Sequence, residues 1–246
     1  MTEINAALWG KKAEYDGAML WIPLAQHLVD TSNVIGLLWE HWLSPSQRAM
    51  LTASLTKPAC VKNLLQFVAS VHDIGKATPV FQFREAIAGS KELDIELKNK
   101  LITAGFKGAD NFITSTKDLS TSHHTITGQA ILEKYGVPHG ICAIVGAHHG
   151  KPLDSSRVYL DDLAAYPDHF YQTEGISEVA QLWKNTQEQI LAWALERNDF
   201  QCVADLPEIS ESAQMILCGL VIMADWIASN EHFFPLISIE ESGITN

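Results

Sequence analysis

Apolar residues recur at every third or fourth position along most of the chain, a spacing that is typical of amphipathic α-helices. Residues 23–43 show it clearly, with Leu24, Leu28, Ile35 and Leu38 at helical intervals. Strict alternation of apolar and polar residues, which would indicate strands, extends over only a few positions. The pattern therefore predicts an all-α fold. The predicted helices cover residues 23–43, 44–55, 59–71, 78–88, 92–104, 125–135, 138–149, 176–197 and 213–230.

Capping residues mark the ends of several predicted helices. Ser44 precedes a proline and suits an N-cap, and Thr78-Pro79 has the same pattern. Gly75 fits the position just beyond a helix C-terminus. The doublet His72-Asp73 is therefore expected in a short connection between two helices.

The segments between the helices give little sign of further structure. Residues 89–119, apart from one short helix, and residues 152–173 are predicted to be irregular. No internal repeat and no break in composition divides the chain. We therefore expect a single domain over residues 1–246, with no helicase domain, because no phosphate-binding loop of the form G-x-x-x-x-G-K-[ST] is present.

The composition is that of a globular protein, with 47% hydrophobic and 19% charged residues. The longest apolar run, residues 215–224, is shorter than the ~20 residues that cross a bilayer. The N-terminus lacks a secretory pattern, so we expect a cytoplasmic protein without a membrane partner. The cysteines lie far apart and are expected to be buried thiols. They are Cys60, Cys142, Cys202 and Cys218.

The charge balance argues against a protein that holds nucleic acid through its own basic surface. The chain has 17 basic and 29 acidic residues, giving a net charge of −12. Proteins that bind the phosphate backbone usually carry the opposite sign. A nucleic-acid substrate would therefore need cations from bound metal ions or from a partner subunit.

Candidate chemistry is concentrated in histidines and aspartates beside helix ends or on apolar helix faces. Neutral imidazole is a common metal ligand, and a carboxylate can bridge two ions. A buried, unpaired aspartate in the most apolar helix would cost several kcal/mol, so it needs a cation or hydrogen-bond donors. The candidates are His27, His72, Asp73, His124, His148, His149 and Asp225.

Each of these residues also has an ordinary structural explanation. Taken alone, His27 could be a hydrogen-bonded structural histidine or a surface histidine. The pair His72-Asp73 matches a motif at only two residues, which is weak evidence. Asp225 can be held by backbone amides or an arginine. The joint occurrence of all seven at such positions favours a shared site. His41, His139, His169 and His232 lack this context and are expected to be structural or exposed.

The segment HDIGKATPVFQ at residues 72–82 resembles the signature of the HD superfamily of metal-dependent phosphohydrolases. More narrowly, it is similar to the HD nuclease domain of the CRISPR-associated helicase-nuclease of type I systems. Further matching segments follow the family order over nearly the whole chain. They are PLAQHL at 23–28, HTITG at 124–128, AHHG at 147–150 and ADWIAS at 224–229.

The resemblance implies a dinuclear metal site. One ion would be held by His27, His72, Asp73 and Asp225, and a second by Asp73, His124, His148 and His149. Asp73 would bridge the two ions. The sequence has two adjacent histidines where the family has one, and the spacing to Gly128 favours His124 over His123.

The resemblance also implies the activity: metal-dependent hydrolysis of phosphodiester bonds in single-stranded DNA, with water activated by two ions. Five imidazoles favour Fe, Mn, Co or Ni over Mg. Lys76 would hold a phosphate oxygen or the transition-state charge, although a solvated lysine or an ion pair is an equal alternative. The expected partners are a helicase domain or subunit and the RNA-guided surveillance complex.

Two other readings stay open from the sequence. One is an HD phosphohydrolase that acts on nucleotides or cyclic nucleotides. The other is a non-catalytic HD fold that serves as a docking module. The segment 78–82 and the segment around Asp225 favour the nuclease.

Overall fold

The computed structural model describes residues 5–55, 61–85, 90–108, 112, 116–150, 159–173 and 177–241. Helices dominate these residues, so the prediction of an all-α fold is confirmed. Cys60, which was predicted to be buried, lies outside the described residues.

The helices differ widely in length, from four to 21 residues. They are α1 (Leu24–Leu37), α2 (Pro45–Ala53), α3 (Val61–Val71), α4 (Pro79–Gln82), α5 (Lys91–Thr103), α6 (Thr116–Thr121), α7 (His124–Lys134), α8 (His139–Ala147), α9 (Tyr159–Ala165), α10 (Pro167–Tyr171), α11 (Ser177–Arg197) and α12 (Glu211–Ala228). A π-helical turn, Leu38–Trp42, extends α1, and a 3₁₀ turn, Ile74–Lys76, follows α3.

A small antiparallel sheet, which the pattern did not predict, precedes the first helix. Strands β1 (Trp9–Tyr15) and β2 (Ala18–Pro23) form a hairpin, and β3 (Ile237–Ser238) pairs with β2. Asp16 and Gly17 make the turn with φ of 50° and 79°. Positive φ at both central residues is the geometry that Asp-Gly favours in two-residue hairpins. The dipeptide was the available signal, but the polar residues of β1 obscured the alternation.

The segment between α8 and α11 is more ordered than the sequence indicated. Residues 159–173 were predicted to be irregular, yet they form the two short helices α9 and α10. Each helix has fewer than eight residues, too few for a helical period to show. Phe170 and Tyr171 at the end of α10 are buried in the main core, so tertiary packing stabilises this segment.

The core forms where the long helices cross. α1 packs against α3 and α12, and α8 packs against α7 and α12. Leu217, Leu220, Val221 and Ala224 form the buried stripe of α12 at helical spacing. Among the described helices, α12 alone has the length and hydropathy to cross a membrane, a test that core helices of soluble proteins also pass.

The cysteine prediction is confirmed in part. Cys142 is buried, and its thiol donates to the carbonyl of Val137 at 3.3 Å. Cys218 is partly buried. Cys202 is exposed, so the prediction that it is buried is wrong, because it lies at the surface turn that precedes a short 3₁₀ helix, Val203–Asp205.

A close backbone contact joins the 3₁₀ turn to α7. A Cβ atom on Gly75 would lie 1.9 Å from the carbonyl oxygen of His124 and 2.6 Å from the amide nitrogen of Gly128. Gly75 was predicted as a helix stop, but its φ is not positive, and this close approach is what requires glycine there. The contact fixes the position of His124 relative to the His72-Asp73 segment.

We expect Gly75→Ala to destabilise the protein, because its methyl group would overlap backbone atoms that cannot move aside. Overpacking of this kind costs about 3 kcal/mol. Gly219→Ala is the matched control, since a Cβ at that exposed position of α12 meets nothing within 4 Å. It should stabilise the protein by ~0.5–1 kcal/mol. Urea denaturation with chelator measures both changes, and equal stabilities of the two variants would contradict the packing argument.

Candidate metal centre

Seven histidine and aspartate side chains from five parts of the fold meet in one place. α1 supplies His27, the turn after α3 supplies His72 and Asp73, and α12 supplies Asp225. The N-terminus of α7 supplies His124, and the C-terminal end of α8 supplies His148 and His149. These are the seven residues that the sequence singled out.

Asp73 lies at the centre of this cluster and is only 1% exposed. Its Oδ2 atom is 3.1 Å from His27 Nε2 and 3.4 Å from His72 Nε2. Its Oδ1 atom is 3.5 Å from the Nε2 atoms of both His124 and His148. Each carboxylate oxygen therefore faces a different pair of imidazoles.

One ligand group lies on the Oδ2 side. Asp225 Oδ1 is 3.2 Å from His27 Nε2 and 3.6 Å from His72 Nε2. The candidate ligand atoms of His27, His72, Asp73 and Asp225 all lie within 4.8 Å of one another. The hydroxyl of Ser229 donates to Asp225 Oδ1 at 3.2 Å and holds that carboxylate in orientation.

A second group lies on the Oδ1 side. The Nε2 atoms of His124 and His149 are 2.7 Å apart. With His148 they form a set whose ligand atoms also lie within 4.8 Å of one another. Besides three imidazoles, this side has the Oδ1 atom of Asp73, so the two groups meet at one carboxylate.

Several of the polar atoms that face the centre lack hydrogen bonds. Buried polar atoms normally have partners, and each exception calls for an explanation. The unpartnered atoms among the described residues include His27 Nε2, His72 Nε2, His148 Nε2 and Asp73 Oδ1. The imidazole nitrogens and carboxylate oxygens gathered here are the donors that divalent transition metals take. The site therefore fits metal ions.

Backbone carbonyls orient two of the imidazoles. His72 Nδ1 is 2.7 Å from the carbonyl oxygen of Ala69, and His148 Nδ1 is 2.6 Å from that of Val145. Both rings donate from Nδ1 and turn Nε2 to the centre. This second hydrogen bond is the usual arrangement around metal-ligating histidines.

The cluster contains positive charges as well as two carboxylates. Burial would raise the pKa values of Asp73 and Asp225, but the neighbouring cations and imidazoles hold both pKa values below their ordinary range. Burial lowers the pKa of His72, but the charges and hydrogen bonds of Asp73 and Asp225 together outweigh this effect and raise the pKa to about 10. Lys76 Nζ lies 2.6 Å from Asp73 Oδ2. One imidazolium and one ammonium thus lie beside the two carboxylates.

The geometry separates His124 from His123. His123 occupies the N-cap of α7, where its Nδ1 atom accepts from the amide of Thr125. Its ring packs against that of His124 at a tilt of 40°, with centroids 4.2 Å apart, and burial lowers its pKa to about 4. His124, with its Nε2 beside His149 and Asp73, lies in the cluster, as the spacing favoured.

The histidines outside the cluster are placed as expected. His41, His139 and His232 are exposed. His169 is partly buried, and its Nδ1 atom shares a hydrogen bond of 2.8 Å with the hydroxyl of Ser122.

The hairpin supplies contacts to the site that the sequence did not reveal. Lys76 Nζ donates to the carbonyl of Gly10 at 3.1 Å. Gln82 binds the backbone of Trp9 through its side-chain oxygen and nitrogen, and its nitrogen also donates to the carbonyl of Lys76 at 2.8 Å. Gln82 lies in the quoted motif, but its partner strand was missed, so its function in joining hairpin and site was missed too.

A family model described as the HD domain of Cas3 matches residues 9–234. The chain belongs to this family. It is 48% identical over its whole length to the CRISPR-associated nuclease/helicase Cas3 of Streptococcus thermophilus, of which it covers 27%. It is 26% identical over 95% of its length to the CRISPR-associated endonuclease/helicase Cas3 of Thermus thermophilus, of which it covers 23%. The chain thus spans about a quarter of these relatives.

Solved structures have the same fold. A crystal structure of a CRISPR-associated protein matches 98% of this chain and 25% of its own chain with a TM-score of 0.72 and 22% identity. The Thermus thermophilus Cas3 HD domain, crystallised in the presence of Ni²⁺, matches 94% of this chain and 79% of its own. Its TM-score is 0.53 and its identity 22%.

We expect the Cas3 HD chain to bind about two transition-metal ions, as in other two-metal sites. His149→Gln should remove the ion on the Oδ1 side and Asp225→Asn the ion on the Oδ2 side, each leaving about one ion. Asp73→Asn should weaken both, because its two oxygens face both groups. Metal analysis by mass spectrometry after anaerobic loading with Mn²⁺ measures this.

The control for metal loading is His139→Gln, which changes an exposed histidine outside the cluster. It should keep the wild-type metal content. Loss of both ions in His149→Gln, with the fold intact by circular dichroism, would contradict two separable ligand groups.

Proposed function

We propose that this chain is the nuclease domain of a Cas3-type protein and hydrolyses phosphodiester bonds of single-stranded DNA during CRISPR interference. The observation that carries the proposal is the position of Asp73 between two histidine groups, one on each carboxylate oxygen. Two-metal sites of phosphodiesterases and nucleases need a ligand of this kind.

Two divalent transition-metal ions, with Fe, Mn, Co or Ni preferred over Mg, would polarise the phosphodiester and lower the pKa of a bound water. His27, His72, Asp73 and Asp225 would hold one ion, and Asp73, His124, His148 and His149 the other. All of these side chains except the exposed His149 are buried, which keeps them in fixed orientations, so the substrate meets a largely preorganised site. The carbonyls of Ala69 and Val145 hold two of the rings.

Lys76 would act on the substrate. Its ammonium pairs with Asp73 and donates to the carbonyl of Gly10. Bound cations would share the charge of Asp73 and so weaken its attraction for Lys76. The Lys76 side chain could then bind a non-bridging phosphate oxygen and stabilise the charge that develops in the transition state.

The remaining context comes from the relatives. Both curated relatives are named as nuclease or endonuclease fused to helicase, and this chain matches about a quarter of each. We therefore propose that a helicase domain or subunit delivers the strand in the cytoplasm, after an RNA-guided surveillance complex has opened the target. A single nuclease domain fits this division of labour.

We expect a labelled single-stranded oligonucleotide to be cut with Mn²⁺, Co²⁺ or Ni²⁺ and to be cut far less with Mg²⁺ alone, because imidazoles favour the former. Asp73→Asn should lower the rate by at least ~100-fold, since it disturbs both ligand groups. Gel analysis of product lengths measures the rates, with His139→Gln as the unaffected control.

Other outcomes of that experiment would replace the proposal. Hydrolysis of nucleotides or cyclic nucleotides, without cleavage of the oligonucleotide, would indicate an HD phosphohydrolase. Metal content below one ion per chain, with neither reaction detected, would indicate a docking module.

Lys76→Met should lower kcat on single-stranded DNA by roughly 100-fold and leave the metal content unchanged, as expected when one donor to the developing charge is lost. Lys62→Met is the matched control, because Lys62 pairs with Glu40 on the surface of α3. Wild-type kcat in Lys76→Met would show that Lys76 serves only as an ion pair for Asp73.

A further inference from the structure

Two buried aromatic rings form a wall beside the metal centre. Trp9 of β1 and Phe81 of α4 are 1% and 3% exposed, and their ring centroids lie 4.5 Å apart. The Phe81 ring meets the His124 ring edge-on at 5.6 Å. This aromatic wall, the pair Trp9 and Phe81, therefore adjoins the Oδ1-side ligand group.

Three cations lie on this wall. Arg84 Cζ is 4.0 Å from the centroid of Phe81 and 5.0 Å from that of Trp9. Lys12 Nζ is 4.4 Å from the centroid of Trp9, and Lys76 Nζ is 5.6 Å from that of Phe81. In a chain with net charge −12, such a cluster runs against the overall balance.

The three cations differ in what neutralises them. Lys12 forms an ion pair with Asp94, and Lys76 forms one with Asp73. Within the described ranges the Arg84 guanidinium has neither a carboxylate partner nor a hydrogen-bond acceptor. Stacking on aromatic rings fixes its plane and leaves its N–H groups to an external anion.

Arg84 also lies within electrostatic range of the site. Burial lowers the pKa of its guanidinium, and the charges of Asp73 and Asp94 oppose this shift. Arg84 as a residue is partly exposed, whereas the two rings beneath it are buried. An arginine held in this way presents a rigid fork that matches phosphate oxygens.

We propose that Arg84 binds the phosphate next to the scissile one in the DNA strand and so positions the scissile bond at the metal centre; this inference rests on the proposed nuclease function. Lys76 contacts Asp73 directly, whereas Arg84 lies on the Phe81 ring, whose edge meets His124. In this proposal Lys76 binds the reacting phosphate, and Arg84 binds the neighbouring phosphate. Arg84 is a positioning residue.

Arg84→Gln should raise KM for single-stranded DNA about 10-fold and change kcat less. The variant loses a charged hydrogen bond that contributes to binding of the substrate rather than to the chemical step. The slope of log affinity against log salt should become shallower by ~0.7, as expected for one phosphate contact to a single strand. Arg84→Lys keeps the positive charge but loses the two-pronged geometry of the guanidinium. Its KM and salt slope should lie between those of the wild-type chain and of Arg84→Gln.

The decisive experiment pairs each enzyme with oligonucleotides that carry one uncharged methylphosphonate at successive linkages around a fixed cleavage site. For the wild-type chain, one linkage adjacent to the scissile bond should show a loss of about 10-fold in kcat/KM. For Arg84→Gln, that same linkage should show no further loss, because the contact is already absent. Arg48→Gln, the same charge change on α2, should keep the wild-type pattern.

The outcomes separate this inference from the proposed function. If the wild-type chain leaves unmodified DNA intact under all metal ions, the nuclease proposal itself fails. If it cuts DNA but Arg84→Gln has wild-type KM, salt slope and methylphosphonate pattern, Arg84 does not bind the strand. If Arg84→Gln loses its metal or unfolds, Arg84→Lys carries the same test, and a wild-type methylphosphonate pattern in that variant overturns the inference.

Discussion

The structure depends on the burial of one carboxylate, that of Asp73. An ionised group in an apolar interior is costly unless cations and donors surround it. Here an imidazolium, an ammonium and further imidazoles provide that surrounding, and the residues come from α1, the turn after α3, α7 and α8. Helices that also pack against one another in the core, α1 on α3 and α7 on α8, are thereby required to present these side chains at the same point. The candidate ligands surround Asp73 because a buried carboxylate without such neighbours would destabilise the fold.

The cluster places positive charge beside its two carboxylates. Burial lowers the pKa of His72, but Asp73 and Asp225 together raise it, and the Lys76 ammonium pairs with Asp73. A metal ion at His72 would have to displace any proton on the ligand nitrogen, since a ligand nitrogen must be free of its proton. Gly75 completes the arrangement by letting α7 approach until His124 faces Asp73.

Much of the fold and of the candidate site was predictable from the sequence, for physical reasons. Helices as long as α11 and α12 repeat their apolar positions over several turns, and the period is then clear. Asp225 stood out because a carboxylate inside an apolar helix needs a partner. The hairpin was missed because β1 has polar residues on both faces and its evidence was one Asp-Gly turn. The position of Arg84 could not be predicted because it depends on contact with the Trp9 ring of β1, and residue spacing along the chain does not show such a contact.

The acidic surface is compatible with the proposed DNA substrate because electrostatic interactions are local. At physiological ionic strength the Debye length is ~8 Å, so exposed acidic side chains far from the site are largely screened. Buried groups are screened much less, and those at the candidate metal centre are Arg84, Lys76 and the ligand set. Bound metal ions would add their charge to this region, where low dielectric strengthens every interaction. For the proposed DNA substrate, repulsion by the rest of the surface would then favour binding at the metal centre over binding elsewhere.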